Sequence, residues 1–393
     1  MPWKASGVVE ERMRFVMEFQ RDEGTMTELC REYGISRPTG YALIERFQRE
    51  GIAGLQDGSR APLRHPNQTL AKIEEQILEL RRARPSWGPK KLQAYLERKQ
   101  PDIRWPALST MGELLKREGL SVAPAKRRKT PPYTQPFGSI AGPNQTWCMD
   151  FKGWFRTRDG ERIDPFTLSD AYSRYLLRCQ AVDHSNTEQV RGLLEASFRE
   201  YGMPLAIRSD NGSPFASRAI AGLSRLSVYL MKLGIVPERI AAGHPEQNGR
   251  HERMHRTLHT ETARPAAANR RAQQKVFDRF REQYNQERPH EALEQHTPAS
   301  CYCLSPRAYP ARVAQPAYDS DLLVRRVQKH GEFNWKHQHI FLSETLAGEA
   351  VGLETIDDRY YRIYFASFPI ARFDSHQRRV QALGQQRAQP QES

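Results

Sequence analysis

The stretch TWCMDFKG, residues 146–153, sets an aspartate inside an apolar run with the residue types of a β-strand. A carboxylate there is costly unless a positive group or an ion meets it. Two other acids stand in comparably special places. Asp210 ends the strand-like LAIRSDNG, where Asn211-Gly212 lets the chain turn sharply and leaves the carboxylate at a sheet rim. Glu252 falls in the first turns of a helix that follows the Asn248-Gly249 break in GHPEQNGRHERMHRTL. Asp150, Asp210 and Glu252 are far apart along the chain, so only a tertiary fold can gather them. A mixed α/β sheet with a helix beside its central strands does so. The surrounding pattern agrees: QTWCMDFKGWF reads as one strand, and RIDPFTLSDAYSRYLLRCQAV as two more joined by a turn at Ser169–Ser173. TEQVRGLLEASFREYG is an amphipathic helix, another helix is expected over about 217–233, and a short strand near 234–240 follows it.

Three clustered carboxylates repel one another unless they hold hard cations. Mg²⁺ prefers oxygen ligands. Two such ions roughly 3.5–4 Å apart clamp a phosphate, activating the attacking oxygen and stabilising the leaving one. On a helix, His255, Arg256 and His259 follow Glu252 at three, four and seven residues and share its face. One acid beside three potential cations suits a metal-bridged polyanion. Glu246, ahead of the Asn-Gly break, reads as a surface loop residue, and Asp170 as a turn former.

The composition points the same way. Among 393 residues, Lys plus Arg is 60 and Asp plus Glu is 46, a formal net charge of +14. Such an excess favours a polyanionic partner through counterion release; a soluble basic protein without one is the competing reading. Five cysteines, an odd and sparse set, form neither a disulfide framework nor a zinc site and read as thiols of a reducing compartment. No apolar run approaches the roughly 18 residues a membrane span needs, and the N-terminus has no export signal.

In TMTELCREYGISRPTGYALIERFQREG, Thr25 and Glu28 form a capping box for one helix, Gly34 ends it, and Ser36 caps a second helix with Tyr41, Ile44 and Phe47 inward. This is a helix-turn-helix pattern, whose second helix would carry Arg37 and Thr39 nearest the bases of a DNA major groove. A bundle used only for packing is the alternative. A similar pattern recurs in LAKIEEQILELRRARPSWGPKKLQAYLERK and WPALSTMGELLKREGL, with Ser109 as a cap and Gly119 as a stop. The Pro-rich APAKRRKTPPYTQPFGS is a linker in which Lys126, Arg127, Arg128 and Lys129 are either solvated or laid along a phosphate backbone. Beyond the core, short alternating runs predict a small β-barrel, and the Gln- and Arg-rich tail is expected to be disordered. The expected organisation is multidomain: helix-turn-helix units over 1–60 and 66–122, a basic linker over 123–140, an α/β core over 141–305, a β-barrel over 320–376 and a tail over 377–393.

Four words in order, TWCMDFKG, RSDNGSPFAS, GHPEQNGRHERMHRTL and YNQERPHEAL, resemble the integrase-core transposases of bacterial insertion sequences, relatives of retroviral integrases. The resemblance implies a ribonuclease-H-like fold, Mg²⁺ or Mn²⁺, and Asp150, Asp210 and Glu252 as the catalytic, metal-holding triad. It also implies water-driven cleavage that frees 3′-hydroxyls, then attack of those hydroxyls on target DNA, with no covalent protein–DNA intermediate. A homo-oligomer on paired DNA ends and a bacterial cytoplasmic, nucleoid-associated location go with it; need for a partner ATPase stays open. A DNA-binding regulator that has lost chemistry is the competing class, and a plain metal-dependent nuclease is a third. The gap between the second and third acids exceeds the commonest family spacing, and the extra residues in RAIAGLSRLSVYLMKLG are expected to lengthen a helix. Arg288 and His290 either touch DNA or serve packing and capping. Trp147 and Trp154 belong to the core or to a DNA-facing wall.

Overall fold

Thr25 and Ser36 start the two helices the sequence assigns to them. The structure, a computed structural model, describes residues 7–57, 68–121, 140–182, 186–210, 212, 220–240 and 249–383. The chain divides into two compact units, Met1–Thr69 and Leu70–Ser393.

In the first unit, α1 (Val8–Gln20), α2 (Met26–Glu32) and α3 (Arg37–Glu50) pack around Phe15, Val16, Leu29, Leu43 and Ile44. Glu28 N–H donates to the Thr25 hydroxyl and the Thr25 N–H to the Glu28 carboxylate at 2.9 Å, the expected capping box. The Ser36 hydroxyl accepts from Thr39 N–H at 3.3 Å. The buried stripe of α3 is Gly40, Leu43 and Ile44, with Phe47 at its edge. Tyr41, expected inward, is 52% exposed because it lies off that stripe. Gly40 is where the helices touch: a Cβ there would sit 2.7 Å from Cys30 Sγ, 2.8 Å from Met26 Sδ and 3.0 Å from Phe15 Cζ.

The second unit opens with α4 (Ala71–Ala83), α5 (Pro89–Lys99) and α6 (Leu108–Arg117) around Ile77, Trp87, Leu92, Trp105 and Met111. Ser109 does not cap α6. That helix begins one residue earlier, at Leu108, and Ala107 occupies the cap position without a side-chain bond.

The central sheet is built from β1 (Thr146–Phe151), β2 (Phe155–Arg156), β3 (Arg162–Asp170), β4 (Leu176–Val182), β5 (Ala206–Ser209) and β6 (Val236–Arg239), in the order β2-β3-β1-β5-β6 with β4 also on β3. β1, β3 and β4 pair antiparallel, whereas β1, β5 and β6 pair parallel. Helices cover both faces. On one, α7 (Thr187–Tyr201) and α8 (Arg225–Lys232) bury Trp147, Met149, Phe166, Leu168 and Ile207. On the other, α9 (Gly249–Thr262) and α10 (Arg270–Gln286) bury Ile163, Leu176, Cys179 and Ala181. Strand alternation sends Asp150, Thr167 and Ser169 to this second side. The described residues of the segment expected as one lengthened helix instead make a 3₁₀ turn, Ile220–Gly222, and then α8, whose start is fixed by the Ser224 cap.

The C-terminal part is β-rich but is not the expected closed barrel. β7 (Leu323–Arg326), β10 (Ala350–Thr355), β11 (Tyr360–Phe365), β12 (Phe368–Asp374) and β13 (Arg379–Ala382) form an open sheet ordered β13-β12-β11-β10-β7. β8 (Glu332–Trp335) and β9 (Gln338–Phe341) form a separate hairpin. Closure is replaced by covering. Phe333, Trp335 and Ile340 of the hairpin, and Leu223, Val228 and Met231 of the core, bury the apolar residues Val351, Leu353, Ile363 and Phe373 of the sheet. A Lys232–Glu349 ion pair at 2.5 Å ties the two parts together.

No helix among the described residues is long and apolar enough to cross a membrane, and all five cysteines are free thiols.

Gly40→Ala should overpack the α2–α3 contact by about 1–3 kcal/mol, against at most about 1 kcal/mol of helix-propensity gain. Calorimetry of the full chain should show a lower first transition. An unchanged or raised midpoint would contradict this packing.

Candidate active site

Asp150 stands at the partly buried end of β1, its side chain 16% exposed. β5 runs parallel beside it with the register Thr146↔Ala206, Trp147↔Ile207 and Cys148↔Arg208. The same offset carried two residues past the last pair, Cys148↔Arg208, would set Asp210 beside Asp150, and strand parity would give both the same face of the sheet. The Asp210 carboxylate accepts the Gly212 N–H at 3.1 Å. A Cβ on Gly212 would lie 3.1 Å from Asp210 Oδ2, so a side chain there would press on the carboxylate. Asn211 lies outside the described residues, as do Glu246 and Asn248.

Helix α9 crosses above this rim. Glu252 and Arg256 are exposed, and with Asp150, Lys152, His255 and His259 they line a cleft of about 470 Å³. Thus Asp150 and Glu252 face one cavity. The helix face expected to carry Glu252, His255, Arg256 and His259 together does so.

His255 is not the cation expected there. It and His251, one turn earlier, are 6% and 3% exposed, with rings 4.6 Å apart. Both meet one hydroxyl: Thr167 Oγ1 is 2.7 Å from His251 Nε2 and 2.7 Å from His255 Nε2. It also donates to the Asp150 carbonyl oxygen at 3.1 Å. A hydroxyl has one proton and two lone pairs, so with its proton on the carbonyl both imidazoles donate Nε2–H to it. Their Nδ1 atoms are then bare. His251 Nδ1 accepts from Ser169 Oγ at 3.2 Å. His255 Nδ1 points at Asp150 Oδ2, 3.9 Å away. Burial pushes the His251 imidazole down to about 3. Burial, then repulsion from His251 and Lys152, pushes His255 down to about 2. His259 is lowered for the same first reason, burial, and then by Lys152 and Arg264.

Ligand atoms of Asp150, His251 and His255 lie within 4.8 Å of one another. His251 spends both nitrogens on hydroxyls, which leaves His255 Nδ1 and the Asp150 carboxylate facing the cleft. With Glu252 on the same wall, the donor set is oxygen-rich, fitting a hard divalent cation. Sequence reasoning missed Thr167, Ser169, His251 and Lys152. The available signal was a pair of histidines four apart on one helix opposite two hydroxyls two apart on a strand.

The other candidates fall elsewhere. Asp170 is 1% exposed and accepts from the Asn144 and Ser173 N–H groups and the Ser173 hydroxyl, the expected turn role. Trp147 is fully buried, whereas Trp154 is 55% exposed with Arg162 stacked 4.9 Å from its ring centroid. Arg37 and Thr39 are exposed at the start of α3, and the Thr39 hydroxyl lies 2.8 Å from Ser36 Oγ. Lys126, Arg127, Arg128 and Lys129 lie outside the described residues.

Two outcomes follow from the clamp. Thr167→Val should orphan two buried imidazole N–H groups at about 1–3 kcal/mol each, and chemical denaturation should register a loss of about 2–6 kcal/mol; a loss near zero would refute the network. Moreover, the folded imidazoles take protons only near pH 3 and 2, whereas unfolded ones do so near 6.5. Unfolding therefore binds protons below pH 6.5, and stability is lost as the pH falls through that window. Melting midpoints that stay level from pH 7.5 to 5 would contradict it.

Residues 141–245 and 233–298 each match an integrase core domain family. Residues 11–62 match a helix-turn-helix domain family, and residues 39–115 a homeodomain-like one. The chain is 27% identical over 245 residues to an uncharacterized 31.7 kDa protein of insertion element IS407 from Burkholderia multivorans, covering 60% of this chain and 81% of that one. It is 29% identical over 256 residues to an uncharacterized 39.2 kDa protein of insertion element IS476 from Xanthomonas euvesicatoria, covering 63% and 69%. Among solved structures, the simian T-cell lymphotropic virus intasome aligns at a TM-score of 0.36 and 14% identity, over 79% of this chain and 100% of that one. With helix-turn-helix matches ahead of integrase-core matches that run from residue 141 to 298, the chain carries helix-turn-helix and integrase core domains and is similar to proteins of bacterial insertion elements.

Proposed function

We propose that the protein is an active DNA transposase. It binds the ends of a mobile element, cleaves to free 3′-hydroxyls, and joins these to target DNA by transesterification. Asp150, Asp210 and Glu252 are the metal-holding catalytic triad in this reading. The observation that carries it is the common cleft of Asp150 and Glu252; continuing the β1–β5 register past its last pair would bring Asp210 beside Asp150. Mg²⁺ or Mn²⁺, two ions in one site, supplies activation of the attacking oxygen and neutralises charge on the phosphate.

The remaining roles belong to the chain itself. Thr167 and the two imidazoles fix α9 on the sheet, and so fix Glu252 relative to Asp150. The Gly212 N–H orients the Asp210 carboxylate. Lys152 and Arg256, on the cleft wall, hold the oxygens of the phosphate under attack. Arg37 and Thr39 read element ends, the basic run at 126–129 follows the backbone, and His259 adds a donor beside Arg256. Two ends must be processed together, so the working form is a homo-oligomer on DNA.

Asp150→Asn should lower Mg²⁺-dependent cleavage of native element ends by more than about 100-fold, because even an outer partner of a metal ligand is worth about 10–100-fold. Binding to those ends should stay within about two-fold, since phosphate contacts dominate affinity. With a supercoiled target and wild-type protein, joined products support the transposase. Nicks alone indicate a nuclease, and bound but uncut DNA indicates a regulator. Normal joining by the Asn variant would refute the triad.

A further inference from the structure

Beside the cleft, on the other flank of α9, lies a second recess of about 530 Å³. Five basic side chains line it: Lys91 from α5, Arg174 from the β3–β4 turn, Arg253 and Arg256 from α9, and Arg288 after α10. Among the described residues the one acid on its wall, Glu291, already pairs with Lys90 at 3.1 Å. We propose that this recess is a phosphate-binding pocket, and that it takes backbone phosphates of the DNA strand whose neighbouring phosphate occupies the Asp150–Glu252 cleft. The assignment rests on the DNA-processing reading above and adds a second anchoring point to it.

The pocket is built and held. Arg288 is only 8% exposed, and its guanidinium donates to Glu261 at 2.9 Å and to Ser86 Oγ at 3.4 Å. Ser86 in turn donates to Glu261 at 2.5 Å. α5 is fixed against the core by Arg84–Glu287 at 2.6 Å and by Arg98 donating to the Glu287 carbonyl at 2.8 Å. Lys91 therefore cannot swing away with a loose domain. Burial, then Arg288, presses the Lys91 ammonium down to about 8, against the opposing pull of Glu261 and Glu291. A phosphate entering the recess would meet five basic side chains, and guanidinium forks match its oxygens.

The choice of a polynucleotide backbone over a free phosphorylated molecule follows from Arg256. Its side chain lines both this recess and the catalytic cleft. The two cavities are thus neighbours across α9, and a strand passing over the helix presents successive phosphates to both.

The test uses the full-length protein in EDTA, so that binding is read without chemistry. Fluorescence anisotropy on a labelled duplex gives the slope of log affinity against log salt, which changes by about 0.9 for each phosphate no longer neutralised. The Lys91→Gln/Arg253→Gln double variant should lower the slope by about 2. Thr257→Glu, which sets a carboxylate on the same wall, should lower it as well. Lys275→Gln, on exposed α10 surface, should not. Equal slopes for all these variants would overturn the pocket while leaving the transposase reading standing. If inorganic phosphate raised the melting midpoint of the wild type but not of the double variant, and duplex slopes were equal, the occupant would be a free phosphorylated molecule and the backbone assignment would fall. A wild type without salt-dependent duplex binding would overturn the pocket and the DNA reading together.

Discussion

One hydroxyl determines where the third acid stands. Thr167 lies on the central antiparallel strand directly across from Asp150, and two imidazoles of α9 converge on its oxygen. The helix lands on a polar rim made by strand alternation rather than on the apolar floor that Met254 and Leu258 occupy a turn further on. That landing fixes the rotation of α9. With His251 and His255 turned to the sheet, Glu252 must face the cleft, and Arg253 and Thr257 must face the second recess. The proposed catalytic and phosphate-facing sides both follow from how two neutral histidines seat themselves.

Neutrality matters here. A charged imidazole pair buried this deeply would repel itself and demand anions from Asp150, the group the proposed chemistry needs for metal. Burial instead leaves the rings as donors of one N–H each. In the proposed reading, the positive charge that meets DNA comes instead from the lysines and arginines that line the cleft and the second recess. The division of labour on α9 is sharp: histidines inward for position, one carboxylate toward the cleft, arginines outward for phosphate.

Much of this was legible in the sequence because local rules and fold agree there. Thr25 with Glu28, Ser36, the strand around Asp150, the β3–β4 hairpin and the face shared by Glu252, Arg256 and His259 all rest on short-range periodicity or capping. The misreadings share one cause: packing from elsewhere decides them. Tyr41 has helical spacing toward the core, but the close approach at Gly40 sets the buried stripe. Helix α6 starts at Leu108 without a polar cap because Met111, Leu114 and Leu115 dock it. His255 looks cationic until Thr167 and His251 are seen around it. The predicted barrel failed because alternation reveals strands and not the partners that cover them.

The residues between the second and third acids show where such coverage leads. Leu223, Val228 and Met231 belong by sequence to the integrase core and by packing to the C-terminal sheet. The two modules are grafted through a joint interior, so neither owns a complete surface. A chain trimmed at the end of its integrase homology would wear an oily scar where that sheet had been, beside the strand that leads into α9. Recombining such a core with a foreign tail would demand matching hydrophobic relief at this junction.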